Sequence, residues 1–493
     1  MHLKPVKITL TLPGSKSLTQ RALICASLAQ GQSIITAPNY GDDLQYLIKA
    51  LQQLGVRIQK KSNQLIINGV AGKFCVPTKP IYVGDSGANY RFLAELVPVG
   101  TKLTGSAQLQ KRLLKTAPTS QTISGKLLAG TLTKIPDKLV SKGYVAMTQA
   151  VIRDFSGRGR KYIIEPDASA ATYWLTYNWI TGAKITFSNW PVKSYQPDFQ
   201  YAKALQQLTN GQTAFDFNTM PDSVMSLAVA AIFTKKIITI KNISQLTYKE
   251  SNRLQALHYN LTKINIKNTI TKNSITIYGT GGKFKHSKIK TFNDHRLAMS
   301  FGVLGLPVDK PNCVNKSYPN FWQDYKKIQE ANVVLTGMRG VGKTTLGKQL
   351  AKQWGMKFVD LDQLIERKAK LPIAEIVARY GWKKFRALEH QVCKQITKLQ
   401  NTVIATGGGT LMYTRNYQLL KHNYIILLTA PLTTLAKRIK QDNNIRPALS
   451  KNNTALSELK AIWDKRKETY YKIADLISPF PLNRGKGARG IEV

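Results

Sequence analysis

The hydrophobic rhythm of the chain changes once. Over the first two-thirds one pattern recurs. "QSIITAPNYGDDLQYLIKALQQLGVRIQKKSNQLIING" (32–69) alternates like a strand, turns, places leucines three to four residues apart like a helix, and then alternates twice more. "KIITIKNISQLTYKESNRLQALHYNLTKINIKNTITKNSITIYG" (236–279) has the same order at similar spacing, and "AKITFSNWPVKSYQPDFQYAKALQQL" (183–208) supplies its first half again. Repeats of this length predict α/β units stacked around shared cores. From Asn332 the rhythm differs. Short apolar runs ("NVVLTG", "KFVDLD", "NTVIATGGG", "NYIILLTAP") alternate with helical stretches. That pattern predicts a parallel sheet covered by helices on both faces. The change falls near 325–332, where the helical "NFWQDYKKIQEA" runs straight into an apolar strand without a Gly/Ser- or Pro-rich linker. The closing stretch 479–493, basic and poor in apolar residues, is expected to be a flexible tail.

Composition narrows the class. With 493 residues, 43% of them hydrophobic, the chain has room for two or three cores. No apolar run approaches the roughly 18 residues of a membrane span. The N-terminus alternates like a strand and lacks a signal peptide's apolar block. A soluble, cytoplasmic protein with no membrane partner is expected. Cys25, Cys75, Cys313 and Cys393 lie far apart and form no CxxC, which fits reduced thiols rather than disulfides or a zinc site. The net charge of +45 (72 basic minus 27 acidic residues) fits a nucleic-acid partner, a lysine-rich composition, or anionic substrates. No dense basic run with interleaved aromatics occurs, so a nucleic-acid partner is not expected.

The strand–loop–helix at 332–347 carries Gly337, Gly342, Lys343 and Thr344 in the spacing G-x-x-x-x-G-K-[ST]. In such a loop, backbone N–H groups at positions such as Gly340 and Thr345 curl around phosphates, and the helix dipole assists. Lys343 would bridge the β- and γ-phosphates of ATP, and Thr344 would bind Mg²⁺. Asp360 and Asp362 in "FVDLD" end a strand-like run two residues apart, so both side chains are expected on one side, one for the metal and one for a hydroxyl. Arg386 and Glu389 stand one helical turn apart. Gly407, Gly408 and Gly409 follow a strand, where bare backbone can approach a ligand. Arg446 sits in a polar, asparagine-rich stretch suited to a lid, and Arg466 lies in "DKRKETYYKIAD". Two acids and three arginines around a phosphate loop suit an anionic polyol. These pieces together resemble shikimate kinase over residues 332–478. The resemblance implies that Asp360 supports Mg²⁺ through water, and that Asp362 binds the shikimate hydroxyls. Arg386, Gly408 and Arg466 would hold the carboxylate side, and Arg446 would reach the ATP phosphates.

Upstream, "LPGSKSLTQRALICASLAQG" (12–31) puts Lys16, Ser17 and Arg21 between a strand end and a helix, a placement suited to anions. "YKESNRL" puts Lys249, Glu250 and Arg253 in a helix's first turn. "FNDHRLAMS" adds Asp294, His295 and Arg296, "NKSYPNF" adds Lys316, and Asp222 precedes an apolar helix. Thr119, Ser120, Gln121, Ser141 and Tyr144 offer neutral donors. Many cations and few acids suit substrates rich in phosphate and carboxylate.

These motifs in this order resemble 5-enolpyruvylshikimate-3-phosphate (EPSP) synthase over residues 1–330. The resemblance implies lobe I at 1–14 plus 167–330 and lobe II at 15–166, closing on shikimate 3-phosphate and phosphoenolpyruvate, with a kinase domain at 331–478. Asp222 would accept the substrate hydroxyl proton, and Glu250 and Lys16 would move protons at the enolpyruvyl group. Lys16, Gly87, Arg112, Gln121, Arg253, Arg296 and Lys316 would hold phosphoenolpyruvate. Lys16, Ser17, Arg21, Thr119, Ser120, Gln121, Ser141, Tyr144, Asp222, Gln245 and Lys249 would hold shikimate 3-phosphate. No organic prosthetic group is implied.

The chain departs from the family's pattern G-N-A-G-T-A-x-R-P at "GDSGANYRFL". Asp85 replaces an asparagine, placing a negative charge beside the phosphoenolpyruvate site. Ala88 replaces a threonine and Phe92 a proline. Gln108 stands for an arginine, and Gln245 and Asn252 for an asparagine and an aspartate. The passages 112–119 and 144–167 are short, so the second lobe is expected to be trimmed. Two expectations follow: a two-activity shikimate-pathway enzyme, or an active kinase fused to a non-catalytic synthase scaffold. A UDP-N-acetylglucosamine enolpyruvyl transferase fits less well, because "TGSAQLQKR" lacks the cysteine that family commonly carries in its mobile loop.

Overall fold

The computed structural model describes residues 3–113, 120–132, 134–136, 139, 141–441 and 455–479. Thr119, Arg446 and the 480–493 stretch lie outside the described residues, as does the side chain of Arg112.

Both long repeats fold as the period-2 and period-3.6 patterns predict. The first gives the strand Gln30–Thr36, the helix Asp42–Gln53 and the antiparallel strands Arg57–Lys61 and Gln64–Val70. The second gives Ile237–Lys241, the helix Arg253–Lys263, and the strands Asn268–Ile270 and Ser274–Tyr278. Each builds a four-stranded sheet of the same order, closed on its other side by a short parallel strand, Lys161–Ile163 or Ala214–Asp216. Alternation sets the inner face: Ile35, Ile58, Leu65 and Ile67 are buried in one sheet, and Ile238, Ile240, Ile275 and Ile277 in the other. Leu44, Leu47, Ile48 and Leu51 form the matching stripe on the first repeat's helix. The half repeat gives the strand Lys184–Phe187, paired with Lys7–Leu10, and the helix Tyr201–Thr209.

Helix starts carry the chemistry, and capping fixes where they fall. Ser15 caps Lys16–Leu28, Asn252 caps Arg253–Lys263 and Asp294 caps His295–Gly302, each accepting a backbone N–H from the first turn. Lys249 and Glu250 therefore precede the helix rather than occupying its first turn, because Asn252 takes the cap. The helix Val224–Ile232 is buried at every position, as an all-apolar sequence requires. Gly14 is held to glycine by packing: a Cβ there would lie 2.0 Å from the Ala37 carbonyl oxygen.

The later part forms a five-stranded parallel sheet in the order Lys357–Asp360, Thr402–Ala405, Val333–Gly337, Tyr424–Thr429, Leu476–Pro479. Its central strands are buried throughout. The fifth strand is short and ends in Ser478–Pro479, too little apolar sequence to read as a strand alone. Asp362 does not extend the second strand beside Asp360. Asp360 ends that strand and caps the helix Leu361–Ala369, accepting the Asp362 N–H at 3.0 Å, so Asp362 is helical.

The compact unit that carries this sheet also takes in residues 3–9 and Asn178–Thr186. Lys4 is 1% exposed, and its Nζ donates to the Gln329 and Ala331 carbonyls at 2.7 and 2.8 Å and to Asn401 Oδ1 at 2.8 Å. Burial lowers this ammonium to about 8. Lys7 and Lys184 both pair with Asp475, which also accepts the Ile425 N–H. Replacing Lys4 by methionine strands three part-buried acceptors, so the unit should lose about 2–3 kcal/mol. Denaturant unfolding followed by tryptophan fluorescence checks this; an unchanged midpoint would show that the buried ammonium holds nothing together.

Candidate active sites

The upstream unit contains a cleft of about 750 Å³. Lys16, Ser17, Arg21, Gly87, Ser120, Gln121, Tyr144, Asp222, Lys249 and Glu250 line it, so residues more than 200 positions apart in sequence meet as expected. The first turn of Lys16–Leu28 supplies Lys16 and Ser17, and its next turn supplies Arg21. Arg21 is 2% exposed. Its guanidinium donates to Thr148 Oγ1 at 2.7 Å and the Ser17 carbonyl at 2.8 Å, and lies 5.0 Å from the centroid of the Phe92 ring. Burial lowers it to about 10.

Behind the cleft stand Arg253, Arg296 and Lys316, each tied to an acid. Asp222 accepts from Arg253 at 2.7 Å, Arg296 at 2.9 Å and the Tyr144 hydroxyl at 3.1 Å, and pairs with Lys249 at 3.2 Å. Arg253 also binds Asp294 at 2.7 Å and Glu250. Lys316 lies 3.6 Å from Glu250, 3.6 Å from Asp85 and 4.0 Å from Asp43, and Asp43 pairs with Lys16 at 3.1 Å. The expected excess of cations is thus a set of ion pairs: Asp43, Asp85, Asp222, Glu250 and Asp294 answer the basic residues. Burial alone would raise the Asp222 carboxyl, but Arg296, Lys249 and Arg253 hold it well below the usual carboxylate range. Glu250 is likewise pushed up by burial, and held well below that range by Arg253, Lys316 and Lys16. Both acids stay ionised and can act as bases or anchors.

The nucleotide-loop unit has its own cleft, about 920 Å³, lined by Asp362, Arg386, Gly407, Gly408, Gly409 and Arg466 among others. Gly337, Gly340 and Gly342 hold positive φ of 136°, 78° and 95°, which lets the loop curl. Lys343 Nζ donates to the Gly337 and Met338 carbonyls at 2.9 and 3.0 Å, lying across the loop where phosphates would sit. Arg386 donates to both oxygens of buried Glu389 at 2.9 Å and packs on Trp382, Phe385 and Tyr413. A Cβ on Gly409 would lie 3.2 Å from Arg386 Nη2 and 3.3 Å from Arg466 Nη2, and one on Gly407 would lie 2.9 Å from Asp362 Oδ1. Gly407 and Gly409 therefore pass close to an acid and two arginines. Thr344 Oγ1 donates to Asp360 Oδ2 at 2.6 Å. Among the described residues no group of three His, Cys, Asp or Glu could hold a metal. Two hard oxygens beside a phosphate loop fit Mg²⁺, which takes its remaining ligands from phosphates and water.

Comparison with known proteins finds relatives for both parts of the chain. The family model for EPSP synthase (3-phosphoshikimate 1-carboxyvinyltransferase) matches residues 2–117 and 147–325. The chain belongs to the EPSP synthase family. The shikimate kinase model matches residues 339–480, so a synthase part is fused to a kinase part. The pentafunctional AROM polypeptide of Yarrowia lipolytica is 27% identical over 94% of this chain and 38% of its own length. That of Schizosaccharomyces japonicus is 30% identical over 82% of this chain and 34% of its own length. The chain thus spans little more than a third of these relatives. A solved EPSP synthase from Acinetobacter baumannii shares the synthase fold at a TM-score of 0.52 and 20% identity, covering 65% of this chain and 96% of that one.

Not every expected residue of the synthase part reaches the cleft. Ser141 sits in left-handed backbone ahead of the helix Lys142–Phe155, and its hydroxyl turns to the Asn218 carbonyl at 3.4 Å. Gln245 lies in the turn Ser244–Tyr248, does not line the cleft, and has both amide atoms buried without a hydrogen-bond partner among the described residues. Arg112 and Thr119 fall outside what is described, as does Arg446 of the kinase part. Several residues of the synthase part went unread. Asp43 looks like an ordinary acid in a helix's first turn. Gln20 and Asn89 bond each other beneath the cleft at 2.7 Å, and Arg91 donates to Gln121 Oε1 at 3.1 Å. Arg91 alone carried a signal, as the arginine of "GDSGANYRFL".

His295 is fully buried, and among the described residues neither ring nitrogen has a hydrogen-bond partner. Burial, then Lys16, keep its pKa well below 6.5. The folded state therefore refuses a proton that the unfolded chain accepts below its ordinary value, and the stability from this group falls as pH drops through that value. Imidazole ¹⁵N shifts, assigned by loss in His295→Asn, should report a neutral ring at about pH 6. A doubly protonated signal there would contradict the geometry.

Proposed function

We propose that the chain is a two-activity enzyme of the shikimate pathway. The kinase part transfers the γ-phosphoryl group of ATP to a hydroxyl of shikimate. The synthase part joins the resulting shikimate 3-phosphate to phosphoenolpyruvate and releases phosphate. The observation that carries this reading is convergence: Lys16, Asp222, Glu250 and Arg253 belong to one network of ion pairs, while Asp362, Arg386 and Arg466 line a separate cleft that Met338 and Arg339 of the phosphate loop also line.

In the kinase cleft Asp362 orients the shikimate hydroxyl and takes its proton, and Arg386 and Arg466 grip the carboxylate. Glu389 fixes the plane of Arg386. Lys343 exchanges its two carbonyl contacts for phosphate oxygens. Thr344 and Asp360 would hold Mg²⁺, which would neutralise phosphate charge.

In the synthase cleft the 5-hydroxyl oxygen of shikimate 3-phosphate attacks C2 of phosphoenolpyruvate. Asp222 takes the hydroxyl proton while C3 gains one from the Lys16 ammonium, and ionised Glu250 can accept the proton that C3 later returns. The C2–O bond to phosphate then breaks and C3 returns a proton, restoring the double bond. Arg253, Arg296 and Lys316 hold the donor, and Arg21 and Lys249 hold the phosphorylated ring. Free cysteines and the absence, among described residues, of a helix able to cross a membrane support a cytoplasmic setting.

Two separate assays test the reading: phosphorylation of shikimate by ATP, and phosphate release from supplied shikimate 3-phosphate and phosphoenolpyruvate. Lys343→Ala should stop only the first step, and Lys16→Ala only the second. Loss of both steps in either folded variant would contradict two separate sites. Intact shikimate phosphorylation without phosphate release in the wild type would favour the scaffold reading. Asp85 gives a further test, because it holds Lys316 against an incoming anion. Asp85→Asn should lower KM for phosphoenolpyruvate by about tenfold, equivalent to about 1.4 kcal/mol; an unchanged or higher KM would show that the acid does not compete.

A further inference from the structure

Asp198 lies beneath the synthase cleft in the turn Pro197–Gln200 and is 3% exposed. Three hydroxyls converge on it. Ser169 Oγ donates to Oδ2 at 2.9 Å, Ser223 Oγ donates to Oδ1, and the Tyr144 hydroxyl lies 3.2 Å from Oδ2. The same Tyr144 oxygen lies 3.1 Å from Asp222 Oδ2. A phenol carries one hydrogen, so it can donate to one of these carboxyls only. The other oxygen–oxygen contact needs a hydrogen from the acid, or it sets lone pair against lone pair.

The cations decide which acid carries it. Asp222 is bound by Arg253, Arg296 and Lys249. Among the described residues no lysine or arginine nitrogen lies within ion-pair distance of Asp198. The charged and titratable groups facing Asp198 are Tyr144 from the helix Lys142–Phe155, Asp222 from the turn Pro221–Ser223, and Arg296 from the helix His295–Gly302, whose charge lowers the carboxyl, as do the Ser223 and Ser169 hydrogen bonds. Burial, then the Asp222 charge, raise the Asp198 carboxyl above its ordinary value. Tyr144 is itself held well above 10 by burial and both acids, so it keeps its proton.

We propose that Asp198 is a positioning residue of the synthase reaction: neutral, it donates its hydrogen to the Tyr144 oxygen, so that Tyr144 donates to Asp222 and holds that ionised carboxylate toward the substrate hydroxyl. This rests on the reading of Asp222 as the base. Asp222 gains one proton from the substrate, and Asp198 and Tyr144 keep theirs throughout. Above the pKa of Asp198 the hydrogen is lost, two carboxylates face each other across one phenol, and the alignment fails.

The test compares wild type, Asp198→Asn and Asp198→Ala in phosphate release from shikimate 3-phosphate and phosphoenolpyruvate across pH, with shikimate phosphorylation as the folding control. Alanine should reduce kcat/KM by about 100-fold, and asparagine, which keeps a neutral donor, should recover it to within about tenfold of wild type. The wild type should decline on the alkaline side through a group that Asp198→Asn lacks. Asparagine no better than alanine, or the same alkaline limb in wild type and Asp198→Asn, would overturn the proposal. An infrared band of a protonated carboxyl, present in wild type at neutral pH and lost in Asp198→Asn, reads the proton without turnover. If the band is present and the wild type does not turn over, the function reading fails while the proton assignment stands; if the band is absent, the proposal fails.

Discussion

One guanidinium holds the synthase site in shape. Arg253 is 1% exposed and binds Asp222, Asp294 and Glu250 together. Each acid comes from a different segment: a turn before an apolar helix, the cap of another helix, and the approach to Arg253's own helix. Without the guanidinium, three buried carboxylates would face one another, and breaking one partner of such a set costs about 3–5 kcal/mol. The arrangement fits a planar fork better than a point charge, because three acids in different directions need several donors at fixed angles.

This hub explains how a cleft rich in basic side chains exists without a bare cluster of positive charge. Lys16, Lys249, Lys316, Arg253 and Arg296 all rest on acids of the same chain. A bound phosphate or carboxylate competes for cations already oriented, so little reorganisation is left for binding. Arg21 differs, bonding to neutral oxygens of Ser17, Thr148 and Tyr144, which leaves its charge available to a phosphate. The kinase cleft uses the same device once, with Glu389 holding Arg386 while Arg466 approaches from the helix Ala455–Ile473.

Much of this was legible before any coordinates. The doubled strand–helix–hairpin unit was visible because periods of 2 and 3.6 are local properties of sequence, and the phosphate loop because its glycines have one geometric use. The charge balance was not visible. Lys316 meets Asp85 from 231 positions away, and Tyr144 meets Asp222 from 78. Such pairs exist only after folding, so the cations read as an unopposed set. The same distance hid Asp198, whose partners come from three other elements. Local competition caused the smaller errors: Asn252 and Asp360 each took a helix cap, moving Lys249, Glu250 and Asp362 out of their expected places. The last strand, Leu476–Pro479, owes its existence to an open sheet edge beside Tyr424–Thr429 rather than to its own pattern.

The dependence on Arg253 is tested most directly by Arg253→Lys, which keeps the charge and removes the fork. Phosphate release from shikimate 3-phosphate and phosphoenolpyruvate should fall by about 100-fold or more, while shikimate phosphorylation by the same sample is unchanged. Synthase turnover within about threefold of wild type would show that a point charge suffices and that the three-acid hub does not organise the site.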